Sequence, residues 1–311
     1  MSRCFTRRTF FKSTATAAAV TVIPSCLSRA YAANKPAGPK PFDRPISFQS
    51  YGMKGEIEKD FPGTLRKVRE LGFSGVEMCS PIGYKGSGFG NLVAIPPAEI
   101  KRQIADSGLF CKSSHFQAKE MLGDATAKST EYGAALGLSD IIMSGAGVPS
   151  NATLDDYRKF ADAANKAGRI VKAAGLRLGY HNHSIGPEFD GKPLYDSLME
   201  MLDPDLVTMQ FQIASITGGY DIIAYLEKYA GRYSALHMHD WDPKAQSPSP
   251  DSKGKIVPVG EGIVDWVTLL KTAQKSKIAD HGFIVEIESL PPDSPFEGLR
   301  RSINYLKTLK I

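Results

Sequence analysis

Five of the six histidines in this 311-residue chain close short runs that are otherwise apolar. His115 lies in Ser113-Ser114-His115-Phe116-Gln117, His181 and His183 end Gly179-Tyr180-His181-Asn182-His183, and His237 and His239 belong to His237-Met238-His239-Asp240. Further runs end on Gln49 and Tyr51, on Glu77 in Gly75-Val76-Glu77-Met78-Cys79, on Gln210-Phe211-Gln212, and on Glu286 in Val285-Glu286-Ile287-Glu288. The members of each His-x-His pair are two residues apart, so in a strand both face the same side. Converging imidazoles and carboxylates can hold a divalent cation such as Mn, Zn or Co. Such a cation polarises a carbonyl while a neighbouring carboxylate moves a proton. The same residues could instead form a metal-free wall that grips sugar hydroxyls. One histidine of this kind is ordinarily structural, whereas five on one rim favour a site.

A shared rim requires elements that end side by side. Strand-like runs fall at 46–52, 73–79, 110–116, 140–145, 177–183, 207–213, 233–239 and 282–288. Amphipathic helical patterns follow them around 62–71, 97–107, 126–136, 153–174, 193–202, 221–229, 264–276 and 295–309. Eight strands each followed by a helix predict a single-domain α/β protein with a (β/α)8 TIM barrel over 46–311, whose polar strand ends gather at the carboxyl face. Leu71-Gly72, Ser107-Gly108, Leu136-Gly137 and Ala174-Gly175 place a glycine where a helix must stop before the next strand. A doubly wound open sheet would bring a G-x-G-x-x-G turn, and the chain contains none. Asp242 to Val259, rich in Pro, Ser, Lys and Asp, reads as a long loop over the catalytic face.

Gly72-Phe73-Ser74-Gly75-Val76-Glu77, Tyr180-His181-Asn182-His183, Gly231 to Asp240, Gly260-Glu261-Gly262-Ile263-Val264-Asp265-Trp266 and Phe283-Ile284-Val285-Glu286 occur in that order. As a set they resemble the xylose-isomerase-like TIM-barrel sugar isomerase/epimerase superfamily, with Tyr-His-x-His similar to its inosose dehydratase-like branch. The resemblance implies one divalent metal, Mn, Zn, Co or Fe, held at the ends of strands five to eight by His181, Gln212, His237 and Glu286. Gln212 stands where an acid is expected, which removes a negative charge that would offset a dication. Ala214-Ser215 replaces the family's usual aromatic after that position, so the sugar pocket is reshaped. The catalytic groups implied are Glu286, Glu77 and His183, and the substrate contacts His115, Asn182, His239 and Gln49. The activity implied is proton abstraction beside a sugar carbonyl, leading to isomerisation or epimerisation. A lyase or hydratase acting on a keto-sugar or oxidised glycoside by the same chemistry is the alternative, and a barrel that only binds carbohydrate is a third reading.

The amino terminus bears on partners. Thr6-Arg7-Arg8-Thr9-Phe10-Phe11-Lys12, the apolar stretch Ala15 to Ile23 and Ala30-Tyr31-Ala32 read as a twin-arginine export signal over residues 1–32, followed by a loose lead-in over 33–45. This predicts a periplasmic protein, with lipid anchoring at Cys26 a lesser alternative. The apolar stretch is too short to span a bilayer. Losing Arg3, Arg7, Arg8, Lys12 and Arg29 takes the 38 basic residues to 33, against 33 acidic ones. The remaining chain is neutral and shows no basic cluster for nucleic acid, so the expected partner is a small carbohydrate. Cys79 and Cys111 each follow an apolar run and are expected as buried thiols.

Overall fold

The computed structural model describes residues 39–246, 254–276, 278–287 and 294–311. The expected export segment, Cys26 and residues 33–38 lie outside the described residues. Eight parallel strands close into a barrel: β1 (Ile46–Gln49), β2 (Gly75–Cys79), β3 (Ser113–Phe116), β4 (Asp140–Met143), β5 (Arg177–His181), β6 (Val207–Gln212), β7 (Tyr233–Met238) and β8 (Phe283–Val285). Each pairs with its sequence neighbours, and β8 pairs with β1 to complete the ring. The outer helices are α1 (Phe61–Leu71), α2 (Pro97–Asp106), α3 (Ala125–Leu136), α4 (Leu154–Ala173), α5 (Leu194–Met201), α6 (Ile222–Lys228), α7 (Trp266–Lys275) and α8 (Pro295–Thr308). The predicted (β/α)8 order holds element by element. No helix among the described residues is long and apolar enough to cross a membrane.

The helices begin and end where the sequence supplies partners for their free backbone groups. Asp60 accepts from the amide of Gly63 to start α1, which stops at Gly72 with φ +105°. Thr153 and Asp156 cap α4 reciprocally. The buried face of α4, which includes Phe160, Ala164, Ala167 and Val171, repeats every three or four residues and turns toward the barrel. Small residues there let a long helix lie close to the strands.

Two departures from the sequence reading shape the ends of the barrel. The lead-in is ordered over its described part: Lys40 and Phe42 donate backbone hydrogen bonds to Ile311 and Leu309. The Phe42 ring sits edge-on to Phe283 at 5.2 Å. Pro, Lys and Ala conceal this pairing, because its partner is the far end of the chain. The expected long loop begins and ends in an antiparallel ribbon, 240–242 with 255–257, while 247–253 lie outside the described residues.

The register fixes the rim. Gln49 lies beside Glu77, Cys79 beside His115, His181 beside Gln210, and Gln212 beside His237. At the opposite end, His281 bonds Asp140 at 2.6 Å and Arg177 bonds the same carboxylate at 2.7 Å. The sixth histidine therefore serves the floor of the barrel, away from the other five.

Candidate active site

At the carboxyl end of the barrel two carboxylates flank one imidazole. His237 meets Glu77 Oε1 through Nε2 at 2.6 Å and Glu286 Oε2 through Nδ1 at 2.9 Å. A carboxylate oxygen only accepts, so both ring nitrogens donate and His237 is an imidazolium. Burial opposes that charge, but the Glu286 and Glu77 carboxylates overcome it and hold the group up at about 10.

Glu77 is 0% exposed and saturated with donors. Gln49 Nε2 reaches Oε1 at 2.9 Å, Gln210 Nε2 reaches Oε2 at 2.7 Å, and His115 Nε2 lies 3.2 Å from Oε1. Burial would raise its pKa; the His115 and His237 rings reverse that and keep it well below the ordinary carboxylate range. Glu286 differs in one respect. Its Oε2 accepts from His237, from His239 Nε2 at 2.6 Å and from Gln212 Nε2 at 3.0 Å. Its Oε1 has no hydrogen-bond partner among the described residues, and the residue borders a cavity. Here too burial is outweighed, by His237 and His239, and the group stays ionised.

That cavity measures about 190 Å³ and is lined by Tyr51, Cys79, Tyr84, His115, Ser144, His181, His183 and Glu286. His115, His181 and His237 each offer a ring nitrogen, and the three lie within 4.8 Å of one another. His181 is buried, its Nδ1 has no partner, and burial together with the neighbouring His237 and His115 holds it well below the usual imidazole range. Gln212 Oε1 is likewise buried and unpartnered. Two unpartnered lone pairs beside clustered imidazoles form a donor set that suits a divalent transition metal.

Residues 65–309 match the xylose isomerase-like TIM barrel family. The chain belongs to that family. Inosose dehydratase of Lacticaseibacillus casei is 25% identical over 256 residues, 72% of this chain and 85% of the relative. Inosose dehydratase of Clostridium beijerinckii is 27% identical over 164 residues, 49% of this chain, so the chain spans about half the length (54%) of that relative. A solved sugar phosphate isomerase/epimerase from Parabacteroides distasonis shares 25% identity with a TM-score of 0.69, covering 85% of this chain and 93% of the other.

Of the residues singled out in the sequence of this xylose isomerase-like barrel, His115, His181, His183 and Glu286 reach the cavity. Glu77, Gln49, His237 and His239 form the buried bed beside them. Asn182 lies to one side, donating to Ser215 Oγ at 3.1 Å and accepting from the Gln212 backbone amide at 3.2 Å. Gln212 turns its amide nitrogen to Glu286, so its oxygen is the atom left available.

Sequence reasoning assigned no role to Gln210, Tyr84 or Ser144. Gln210 bridges Glu77 and His115, whose Nε2 donates to its Oε1 at 2.7 Å. Its position two residues before Gln212 was the available signal, since both face inward. Tyr84 comes from a loop that carries no periodic pattern, and Ser144, hydrogen-bonded to it at 2.6 Å, follows directly on β4 inside the expected run 140–145.

The motif Gly260 to Trp266 that carried the resemblance is structural. Asp240 accepts from the backbone amides of Trp241, Gly260 and Val264 and from the Trp266 indole at 2.7 Å. A Cβ on Gly262 would lie 2.2 Å from Asp240 Oδ1, so only glycine permits that approach. This anchor holds the segment after β7, where His239 turns to Glu286. Cys79 and Cys111 are free thiols, the first buried and the second half-buried.

Proposed function

We propose that this enzyme abstracts a proton from the carbon next to the carbonyl of a keto-sugar and returns it to isomerise or epimerise the sugar. The carrying observation is the meeting of His115, His181 and His183 with the free Oε1 of Glu286 around one cavity, above a bed whose charges are already paired. His183 makes no hydrogen bond among the described residues, and its ring meets the His181 ring edge-on at 4.9 Å between centroids. It is therefore the imidazole free to take the proton. The electron pair from the C–H bond moves onto the carbonyl oxygen, giving an enediolate. Reprotonation of the same carbon from the other face by water gives the epimer, and protonation at the former carbonyl carbon, with the hydroxyl proton passing to the neighbouring oxygen, gives the isomer.

A divalent cation fits this site. His115, His181 and His237 would hold it with Glu286, and the unpartnered Gln212 oxygen is available beside them. When bound, the cation supplies Lewis-acid polarisation of the carbonyl oxygen. Glu77 touches no cavity surface; its negative charge positions His237 and His115, and Gln49 and Gln210 hold Glu77 in turn.

Elimination is the second reading, supported by relatives named inosose dehydratase. It shares the first step and differs only when a leaving group on the β carbon departs with the electron pair. Both readings begin with loss of the proton beside the carbonyl, which exchanges with solvent wherever a proton returns to that carbon. Incubation of the full chain with keto-sugars in D2O should place deuterium on the carbon next to the carbonyl, and His183→Gln should slow exchange by about 100-fold or more. NMR of the product then separates an inverted centre from a new C=C bond. Complete absence of both exchange and a new C=C bond across aldoses, ketoses and oxidised glycosides would leave carbohydrate binding without catalysis. Export by the amino-terminal segment would place the enzyme where oxidised glycosides are plausible substrates.

A further inference from the structure

A second cavity of about 240 Å³ adjoins the first and has no part in the chemistry above. His183 belongs to both walls, and Ser144 in the first is followed directly by Gly145 in the second. The second cavity is built by the loop after β4, the end of β5, and helices α4 and α5. Its aromatic members are Tyr157, Tyr180 and Tyr195. Gly145 lies at the junction with φ +152°, a backbone conformation that favours glycine, and a Cβ there would make ordinary contact with His183 Cε1 at 3.8 Å.

We propose that this cavity is a second subsite, which holds a neutral ring joined to the reacting sugar, so that the substrate is a glycoside. This rests on the keto-sugar reading for the position of the reacting ring. The first cavity alone is smaller than the roughly 300–1,000 Å³ of sites that enclose a drug-sized ligand, and only the two together reach that range. The composition selects the class of substituent. No Lys or Arg is among the described residues lining either cavity, so neither offers the charged donors that grip a phosphate. The lining is instead more polar than apolar, with Ser184 exposed and the Tyr157 ring half-buried beside it, which suits a neutral second sugar ring or an aromatic aglycone. His183, at the junction, would face the bond between the two rings.

Calorimetric titration of the full chain with glucose, cellobiose and 4-nitrophenyl β-glucoside tests this; the aryl glycoside has no free carbonyl, and NMR of the mixtures checks that the latent aldehydes of glucose and cellobiose have not turned over. The wild type should bind at least one of the two glycosides about tenfold or more tightly than glucose. Val148→Trp, which fills the second cavity from its loop, should erase that advantage and leave glucose binding within about twofold. Ser184→Trp should do the same from the opposite side, with thermal melts confirming that both variants fold. The better of cellobiose and the aryl glycoside identifies whether the substituent is a sugar or an aromatic group. Equal affinity for all three compounds, no binding by any of them, or an advantage that survives both variants overturns the subsite. A glycoside advantage with neither deuterium exchange nor a new C=C bond in the keto-sugar assay would instead keep the subsite and reject the catalytic reading.

Discussion

Replacing His237 with glutamine should remove a pH dependence of stability that the paired carboxylates create. In the folded chain both ring nitrogens donate to carboxylates, at 2.6 and 2.9 Å, and the group is held up at about 10 from an ordinary value of 6.5. At about 1.4 kcal/mol per pH unit, this corresponds to about 5 kcal/mol of preferential stabilisation of the charged form. Glu77 and Glu286 titrate with the same cluster, so about 2–5 kcal/mol is the range expected in the whole protein. The raised value means that the folded state binds the extra proton. Its contribution is fully present below about pH 6.5 and is lost as the pH rises through about 10, with a slope approaching 1.4 kcal/mol per pH unit. Urea unfolding of chelator-treated protein at about pH 6.5, 8 and 9.5 measures this directly, provided refolding is reversible. His237→Gln should be about 3–5 kcal/mol less stable near pH 6.5, because it leaves two buried carboxylates without their shared cation, and its stability should vary less over the same interval. Parallel curves for wild type and variant would refute the imidazolium assignment.

Three further outcomes follow from the same geometry. Loading chelated protein with Zn or Mn should release about one proton per ion, because His237 must give up a ring proton to become a ligand; titration in buffers of different ionisation enthalpy reads this, and zero release would remove His237 from the ligand set. Gln210→Leu should cut metal affinity or turnover by about 10–100-fold, since the amide joining His115 to Glu77 is lost; unchanged metal affinity and turnover would show that Gln210 does not position His115. Asp240→Ala should cost about 2–4 kcal/mol in urea unfolding by stranding the Gly260 and Val264 amides and the Trp266 indole, and a loss under 1 kcal/mol would mean that water replaces the carboxylate there.

The barrel itself was legible in the chain. Short apolar runs, helical runs at a three-to-four spacing and glycines at helix ends are local signals, and local backbone physics reads them the same way in the folded protein. The polar residues that end seven of the eight strand runs were equally visible, because a (β/α)8 order sends every such residue to one rim. What a polar residue does on that rim depends on neighbours far away in sequence. Glu77 and Glu286 are the same residue type at equivalent strand ends, yet Gln49, Gln210 and His237 donate to both oxygens of Glu77, whereas Glu286 keeps one oxygen at the cavity. His237 and His181 are likewise both strand-end histidines, but one lies between two carboxylates and is charged, and the other lies among imidazoles and is neutral. The pairing of Lys40 and Phe42 with the carboxyl terminus, and the second cavity beside His183, also join segments that no sequence window contains. Sequence alone determined which groups could meet, since strand order and side-chain alternation are encoded locally. Tertiary structure decided their charge, partners and access, because these follow from distances of a few ångströms between residues that lie scores of positions apart in the chain.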